Sequence, residues 1–216
     1  MAAQDPSDRE RALRLVPVSR ETAELLDRYV ELLTRWQVAK NLVGPATLQH
    51  AWTRHVADSA QLVSLAPDAR RWVDLGSGAG FPGLVVACLQ RDKPGMMVHL
   101  VESNGRKCAF LREAIRALKL PAKVHDGRIE DVVAGWSGAV DVVSARALAP
   151  LPDLLRLSRN LLTTGAVGIF PKGQDVDLEL TDAAKYWKIQ ASTVASKTDP
   201  KARIVVVESA EPRIVS

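Results

Sequence analysis

The chain has 216 residues, enough for one full hydrophobic core and one accessory segment. Its 47% hydrophobic and 25% charged content, with a net charge of +4, is that of a globular protein that admits a polyanionic partner without requiring one. No apolar run approaches the ~20 residues of a membrane span. The start Met1-Ala2-Ala3-Gln4-Asp5-Pro6 lacks a signal-peptide core, and Cys88 and Cys108 show no metal-ligand spacing. The expectation is therefore a cytoplasmic protein with reduced thiols and no metal.

In chain order, residues 1–17 are polar and read as loose. Ser19 is a plausible N-cap, and Leu25, Leu26, Tyr29, Leu32, Leu33 and Trp36 then follow a helix period. A second helix is predicted over 47–65, with Trp52, Val56, Ala60 and Val63 on one face. Residues 1–66 are thus expected to form a helical cap ahead of a main domain over 67–216. Strands are predicted at 71–75, 96–102, 122–126, 140–145 and 165–170, with helices near 83–91, 107–119 and 151–162. This alternation implies an α/β fold with a parallel sheet and right-handed crossovers. The β-branched runs at 187–196 and 203–208 flank a polar turn with Asp199-Pro200 and read as a terminal antiparallel hairpin at the sheet edge.

The most informative stretch is Asp74-Leu75-Gly76-Ser77-Gly78-Ala79-Gly80-Phe81-Pro82-Gly83, where an apolar strand empties into glycines and restarts as a helix. Such a loop lets the backbone turn with positive φ and approach a nucleotide-like ligand closely. Two registers compete. Gly78 to Gly83 fits the dinucleotide pattern G-x-G-x-x-G, and Gly76 to Gly80 fits the G-x-G-x-G loop of S-adenosylmethionine (SAM) methyltransferases. The dinucleotide motif needs its first glycine directly after the strand, and the strand ends near Leu75, which leaves Gly76 in that place. Asp74 would repel a pyrophosphate, whereas it can face the ammonium and sulfonium charges of SAM. SAM is favoured, with Gly76 and Gly78 against it and Phe81 in apolar contact.

The following strands supply further candidates. The run 96–101 ends in Glu102, placed to accept hydrogen bonds from a ribose diol. Arg106 and Lys107 lie just beyond it on the functional rim of the sheet. After the third strand, the segment Val124 to Glu130 puts an apolar residue and an acid where an adenine would lie; a helix start with acids in its first turn explains the same residues. The fourth strand leads into Ser144-Ala145-Arg146-Ala147. The Asn/Asp-Pro-Pro-aromatic motif of adenine amine methylation is absent there, and no cysteine nucleophile is near. Arg146 beside a sulfonium calls for an acceptor edge between them, and guanine O6 and N7 offer one. A structural ion pair with Asp74 or Glu102 is the competing reading.

These residues resemble the bacterial glucose-inhibited division protein B family, the small-subunit (16S) ribosomal RNA guanine-N7 methyltransferases. The resemblance runs from about Tyr29 to Lys172. It is carried by Trp36 with Asn41-Leu42, Arg54-His55-Val56-Ala57-Asp58-Ser59, Asp74 to Gly83, Gly105-Arg106-Lys107 with Phe110-Leu111-Arg112, Gly127-Arg128-Ile129-Glu130, Ser144-Ala145-Arg146-Ala147 with Ala149-Pro150-Leu151, and Lys172-Gly173. The chain departs from the family at Ser103-Asn104-Gly105, where a Ser-Leu-Gly is common.

The resemblance implies a class I SAM methyltransferase fold (Rossmann-like) with a short helical N-terminal cap. It implies that Gly76, Phe81, Ile129, Glu130 and Arg146 contact the cofactor and that Glu102 holds its ribose. It implies a partner too: 16S rRNA or the assembling small subunit. Guanine N7 carries a lone pair and no proton, so no general base is expected and Arg146 is the catalytic candidate. Arg54, Lys107, Arg146 and Lys172 are candidates for RNA contacts, with Asn41 on base or backbone. His55 either contacts RNA, orients the cap, or is a satisfied structural histidine. A monomer is expected. The alternatives are a SAM methyltransferase acting on another RNA, a small molecule or a protein, and a noncatalytic nucleotide- or RNA-binding protein.

Overall fold

A computed structural model describes residues 6–40, 42–44 and 48–213. Pro6–Leu15 form α1 and Arg20–Lys40 form α2. A third helical segment, α3, runs through a π-type turn Trp52–Ala57, an α-turn Asp58–Ala60 and a 3-10 stretch Gln61–Leu65. Then come β1 Arg71–Leu75, α4 Gly83–Leu89, β2 Met97–Glu102, α5 Gly105–Leu118, β3 Ala122–Asp126, α6 Ile129–Ala134 and β4 Val142–Ala145. The chain continues through α7 Leu151–Leu162, β5 Val167–Lys172, α8 Val176–Tyr186, β6 Trp187–Ala195 and β7 Arg203–Pro212.

The strands form one seven-stranded sheet in the order β3-β2-β1-β4-β5-β7-β6. Strands β1 to β5 run parallel, and β7 pairs antiparallel with both β5 and β6. The expected α/β fold and edge hairpin are present. Helices cover both faces of the sheet, which is why its central strands are mostly apolar. Successive side chains of β1 divide between two cores. Trp72 packs with α2 to α5, while Val73 and Leu75 pack with the leucines of α7, Val176 and Ala183 of α8, and Trp187. No helix among the described residues is long and apolar enough to cross a membrane.

Two expectations need correction. Residues 6–15 are helical rather than loose, because buried Asp8 accepts from the backbone N–H groups of Trp52 (3.0 Å) and Thr53 (3.2 Å), docking α1 onto the start of α3. Arg9 adds a two-pronged pair with Asp27 at 2.7 and 2.8 Å. Neither contact has a local sequence signal, since the partners lie far along the chain. Helix α8 is also additional to the predicted elements; its Glu179 caps the start of α7 by accepting from the Leu151 N–H at 2.6 Å. Ser19 does act at the start of α2, its hydroxyl accepting from the Thr22 N–H at 3.2 Å. The cap shares its core with the sheet: Tyr29 is fully buried, 5.3 Å from the ring of Phe81 and 6.4 Å from that of Phe110.

Candidate active site

Strand register builds the site. Leu75 of β1 pairs with Val101 of β2 and Ala145 of β4, so the next residue of each strand, Gly76, Glu102 and Arg146, emerges at one level. The chain turns into the loop with φ of +65° at Gly76 and +58° at Gly78. A Cβ at Gly76 would lie 2.7 Å from Leu148, whereas one at Gly78 would meet nothing closer than the Gly76 carbonyl at 3.8 Å. Glycine at 76 is favoured by its positive φ and by the nearness of the Leu148 side chain. Gly78 keeps a backbone surface open beside Glu102.

Glu102 is buried, and its carboxylate fastens this region. It accepts from the Gly78 N–H at 2.9 Å and from the Asn104 N–H at 2.8 Å. Asn104 in turn caps α5, its side-chain oxygen accepting from Arg106 (3.0 Å) and Lys107 (3.2 Å) N–H groups. The departure at Ser103-Asn104-Gly105 thus makes an effective helix cap. Each Glu102 oxygen accepts one hydrogen bond here and has a lone pair left for a diol. On the β3 side, Ile129 and exposed Glu130 open α6, with Gly127 N–H held to the Glu102 carbonyl at 3.0 Å. The open surface at Gly78, the carboxylate of Glu102 and the apolar Ile129 lie in series along the strand ends and fit a nucleoside.

Asp74 has a different role from the cation-facing one expected. It is fully buried and accepts from the Ser144 hydroxyl (2.9 Å) and the Gly83 N–H (3.2 Å), while Ser144 accepts from Trp72 Nε1 at 2.8 Å. It ties β1 to β4 and to the start of α4. Burial pushes its carboxyl up to about 6, against the hydrogen bonds that favour its charge.

Arg146 anchors the other side. Its Nη1 donates to the Arg54 carbonyl at 2.9 Å and to Asp58 at 3.2 Å, and its Nη2 lies 2.9 Å from His55 Nδ1. The ion-pair partner is therefore Asp58, not Asp74 or Glu102. Its Cζ sits 5.2 Å from the centre of the Phe81 ring, which also stacks on His55 at 4.8 Å. Phe81 is buried as the floor beneath Arg146 instead of lying open to a ligand. His55 can accept from Arg146 only through an unprotonated Nδ1. Burial, then the charges of Arg146 and Arg54, lower it to about 3, so it stays neutral. Tyr29, missed as a site residue because its helix period explains it as core, donates to the Ala79 carbonyl at 2.6 Å and clasps the glycine loop.

A cavity of about 660 Å³ opens beside Arg146, lined by Arg54, His55, Asp58, Leu148, Pro150, Lys172 and the hairpin turn around Thr198. Arg54, His55, Arg146 and Lys172 are thus brought together. Lys172, however, is no free phosphate contact: its buried ammonium pairs with Glu179 and donates to the Ala149 carbonyl, each at 2.7 Å. Lys107 lies on the first turn of α5, away from that cavity. Asn41 lies outside the described residues. Among the described residues no cluster of potential metal ligands occurs.

A family model described as rRNA small subunit methyltransferase G (GidB) matches residues 22–205. The ribosomal RNA small subunit methyltransferase G of Bradyrhizobium sp. strain BTAi1 is 54% identical over 205 residues, 95% of this chain and 92% of that one. Its namesake from Methylorubrum populi is 57% identical over 201 residues, 93% of this chain and 95% of its own. Among solved structures, the O-methyltransferase from Bacillus cereus in complex with SAH is 14% identical and aligns over 94% of this chain and 97% of that one, with a TM-score of 0.61. At that identity the likeness bears on fold alone, and the fold is that of the class I methyltransferases. On the matched span and the level of identity to both relatives, this chain belongs to the rRNA small subunit methyltransferase G family.

Proposed function

We propose that the chain transfers a methyl group from SAM to N7 of a guanosine in 16S rRNA, presented as RNA or as an assembling small subunit. The supporting observation is the level placement of Gly76, Glu102 and Arg146, with a cavity opening beside Arg146. Backbone at Gly76 and Gly78, the carboxylate of Glu102 and the side chain of Ile129 would hold SAM, which supplies an electrophilic methyl on a cationic sulfonium. Glu130 borders the same end.

Arg146 has five N–H groups, of which three are engaged with Arg54, Asp58 and His55. The remaining two are available to the O6 and N7 side of a guanine, a pairing that arginine geometry favours. N7 has no proton to lose, and neutral His55 is committed to Arg146, so no residue here serves as a base. The chain contributes position and charge. Exposed Arg54 and half-buried Lys107 are the candidates for phosphate contacts. We further assign a cytoplasmic monomer.

Arg146→Ala tests the reading. Methyl transfer to small-subunit rRNA should fall about 100-fold or more, as for loss of a main electrostatic contact to the reacting group. The circular dichroism spectrum should stay near wild type. Turnover close to that of the parent enzyme removes Arg146 from the reaction.

A further inference from the structure

The C-terminal hairpin reaches the site through a run of polar contacts that family membership does not explain. The turn between β6 and β7, residues 196–202, contains no fully buried residue, so apolar packing alone does not fix its position. It is held by side chains instead. The Thr198 hydroxyl lies 2.8 Å from Asp58 Oδ1, and Ser196 Oγ lies 3.0 Å from Thr198 Oγ1. Ser196 Oγ also accepts from the Thr198 N–H at 3.2 Å and from Gln61 Nε2 at 3.2 Å, while Gln61 Oε1 accepts from the Lys197 N–H at 2.8 Å.

Only one arrangement of protons satisfies these contacts. An ionised Asp58 has no hydrogen to give, so Thr198 must donate to it. Thr198 Oγ1 then accepts, and the Ser196 hydroxyl supplies the proton. Ser196 Oγ in turn accepts from two N–H groups. The chain of donors ends on Asp58 Oδ1, and the other oxygen, Oδ2, meets Arg146 at 3.2 Å. Asp58 and Arg146 are both mostly shielded, with 20% and 17% of their side-chain surface exposed, so the pair is not one that water readily screens.

On the proposed methyl-transfer function, we infer that Asp58 is the positioning residue for Arg146, and that Thr198 of the hairpin turn orients Asp58 for that task. The hairpin is then one wall of the acceptor cavity and also the brace that aims its guanidinium. Without the Thr198 hydroxyl, Asp58 Oδ1 keeps only the Gln61 Nε2 contact at 3.0 Å, and the carboxylate is held less firmly in its orientation. Arg146 keeps its contacts to His55 and Arg54 but loses the fixed direction that its two remaining N–H groups need.

The test uses the full-length enzyme with Thr198→Val, which keeps the shape and removes the donor, Thr198→Ser, which restores it, and Asp58→Asn. Three quantities are read: kcat and KM with small-subunit rRNA, Kd for SAM by calorimetry, and the side-chain 15N signals of Arg146. In Thr198→Val, kcat should fall roughly tenfold, the size expected for losing one hydrogen bond to a charged group, while KM and the SAM Kd hold. The Arg146 Nη signals should broaden or merge as the guanidinium becomes free to rotate. Thr198→Ser should recover both, and Asp58→Asn should show the larger loss. An unchanged kcat, or Arg146 signals unaltered in both Thr198→Val and Asp58→Asn, overturns the inference. Should the parent enzyme itself fail to methylate rRNA, the functional reading falls, and the Arg146 signals still decide whether the brace exists.

Discussion

Glu102 holds two backbone N–H groups from different segments, Gly78 and Asn104, with one carboxylate. Glu102→Gln should therefore weaken SAM binding about tenfold, because an amide presents N–H to one of those donors where a carboxylate accepted from both. Calorimetric titration checks this, and an unaltered Kd would show that the carboxylate does not contact the donor. The placement of Glu102 beside the glycine loop was readable from a strand-end acid one βαβ unit past the glycines. The capping role of Asn104 was not, since it depends on where the chain after β2 turns. Asp74 shows the same limit more sharply. Its sequence position at a strand end suggested a ligand contact, but the inward pleat of β1 turns it toward Ser144 and Gly83.

Among the elements, α1 is the clearest case of a helix made by its partner. Its ten residues are too short to be stable alone in water. Asp8, only 1% exposed, accepts from Trp52 and Thr53 at the start of α3 and from Arg11 at 2.9 Å. Asp8→Ala should leave buried N–H groups unpaired and cost about 2 kcal/mol of stability, read as a lower midpoint in urea unfolding. An unchanged midpoint would mean that α1 docks by its apolar face alone. The hairpin was legible as β-branched runs around a polar turn. Its attachment to α3 was not, because Asp58 and Thr198 are 140 residues apart and carry no local mark of each other.

For the molecule as a whole, three histidines set the acid side of stability. His55 is lowered to about 3 and His99 to about 4, chiefly by burial, and His125 is lowered for the same reason. His55 and His99 are therefore neutral in the fold, and all three bind protons less readily there than in the unfolded chain, where 6.5 is the ordinary value, so unfolding takes up protons below that pH. Their contribution is complete above about pH 6.5 and is lost as pH falls toward 4 and 3. Asp74 works in the opposite sense. Its carboxyl is raised to about 6 from 3.8, so it favours the fold more as pH falls from 6 toward 3.8. Three groups outweigh one, and the unfolding free energy should drop between pH 7 and pH 5. Replacing His99 with Gln should flatten that slope, and a stability that rises over the same interval would refute the histidine assignment.

The linear sequence settled the alternation of strands and helices, the glycine loop and the acid after β2. These rest on short-range rules: side-chain periodicity, the conformational freedom of glycine and the spacing of one βαβ unit. Tertiary structure alone decided that Asp58 is the partner of Arg146, that Lys172 is spent on Glu179, and that Tyr29 clasps the glycine loop. The reason is physical. A side chain's charge and hydrogen-bonding capacity are written in its identity, but the group that satisfies them is chosen by strand register and by how helices far apart in the chain pack over the sheet.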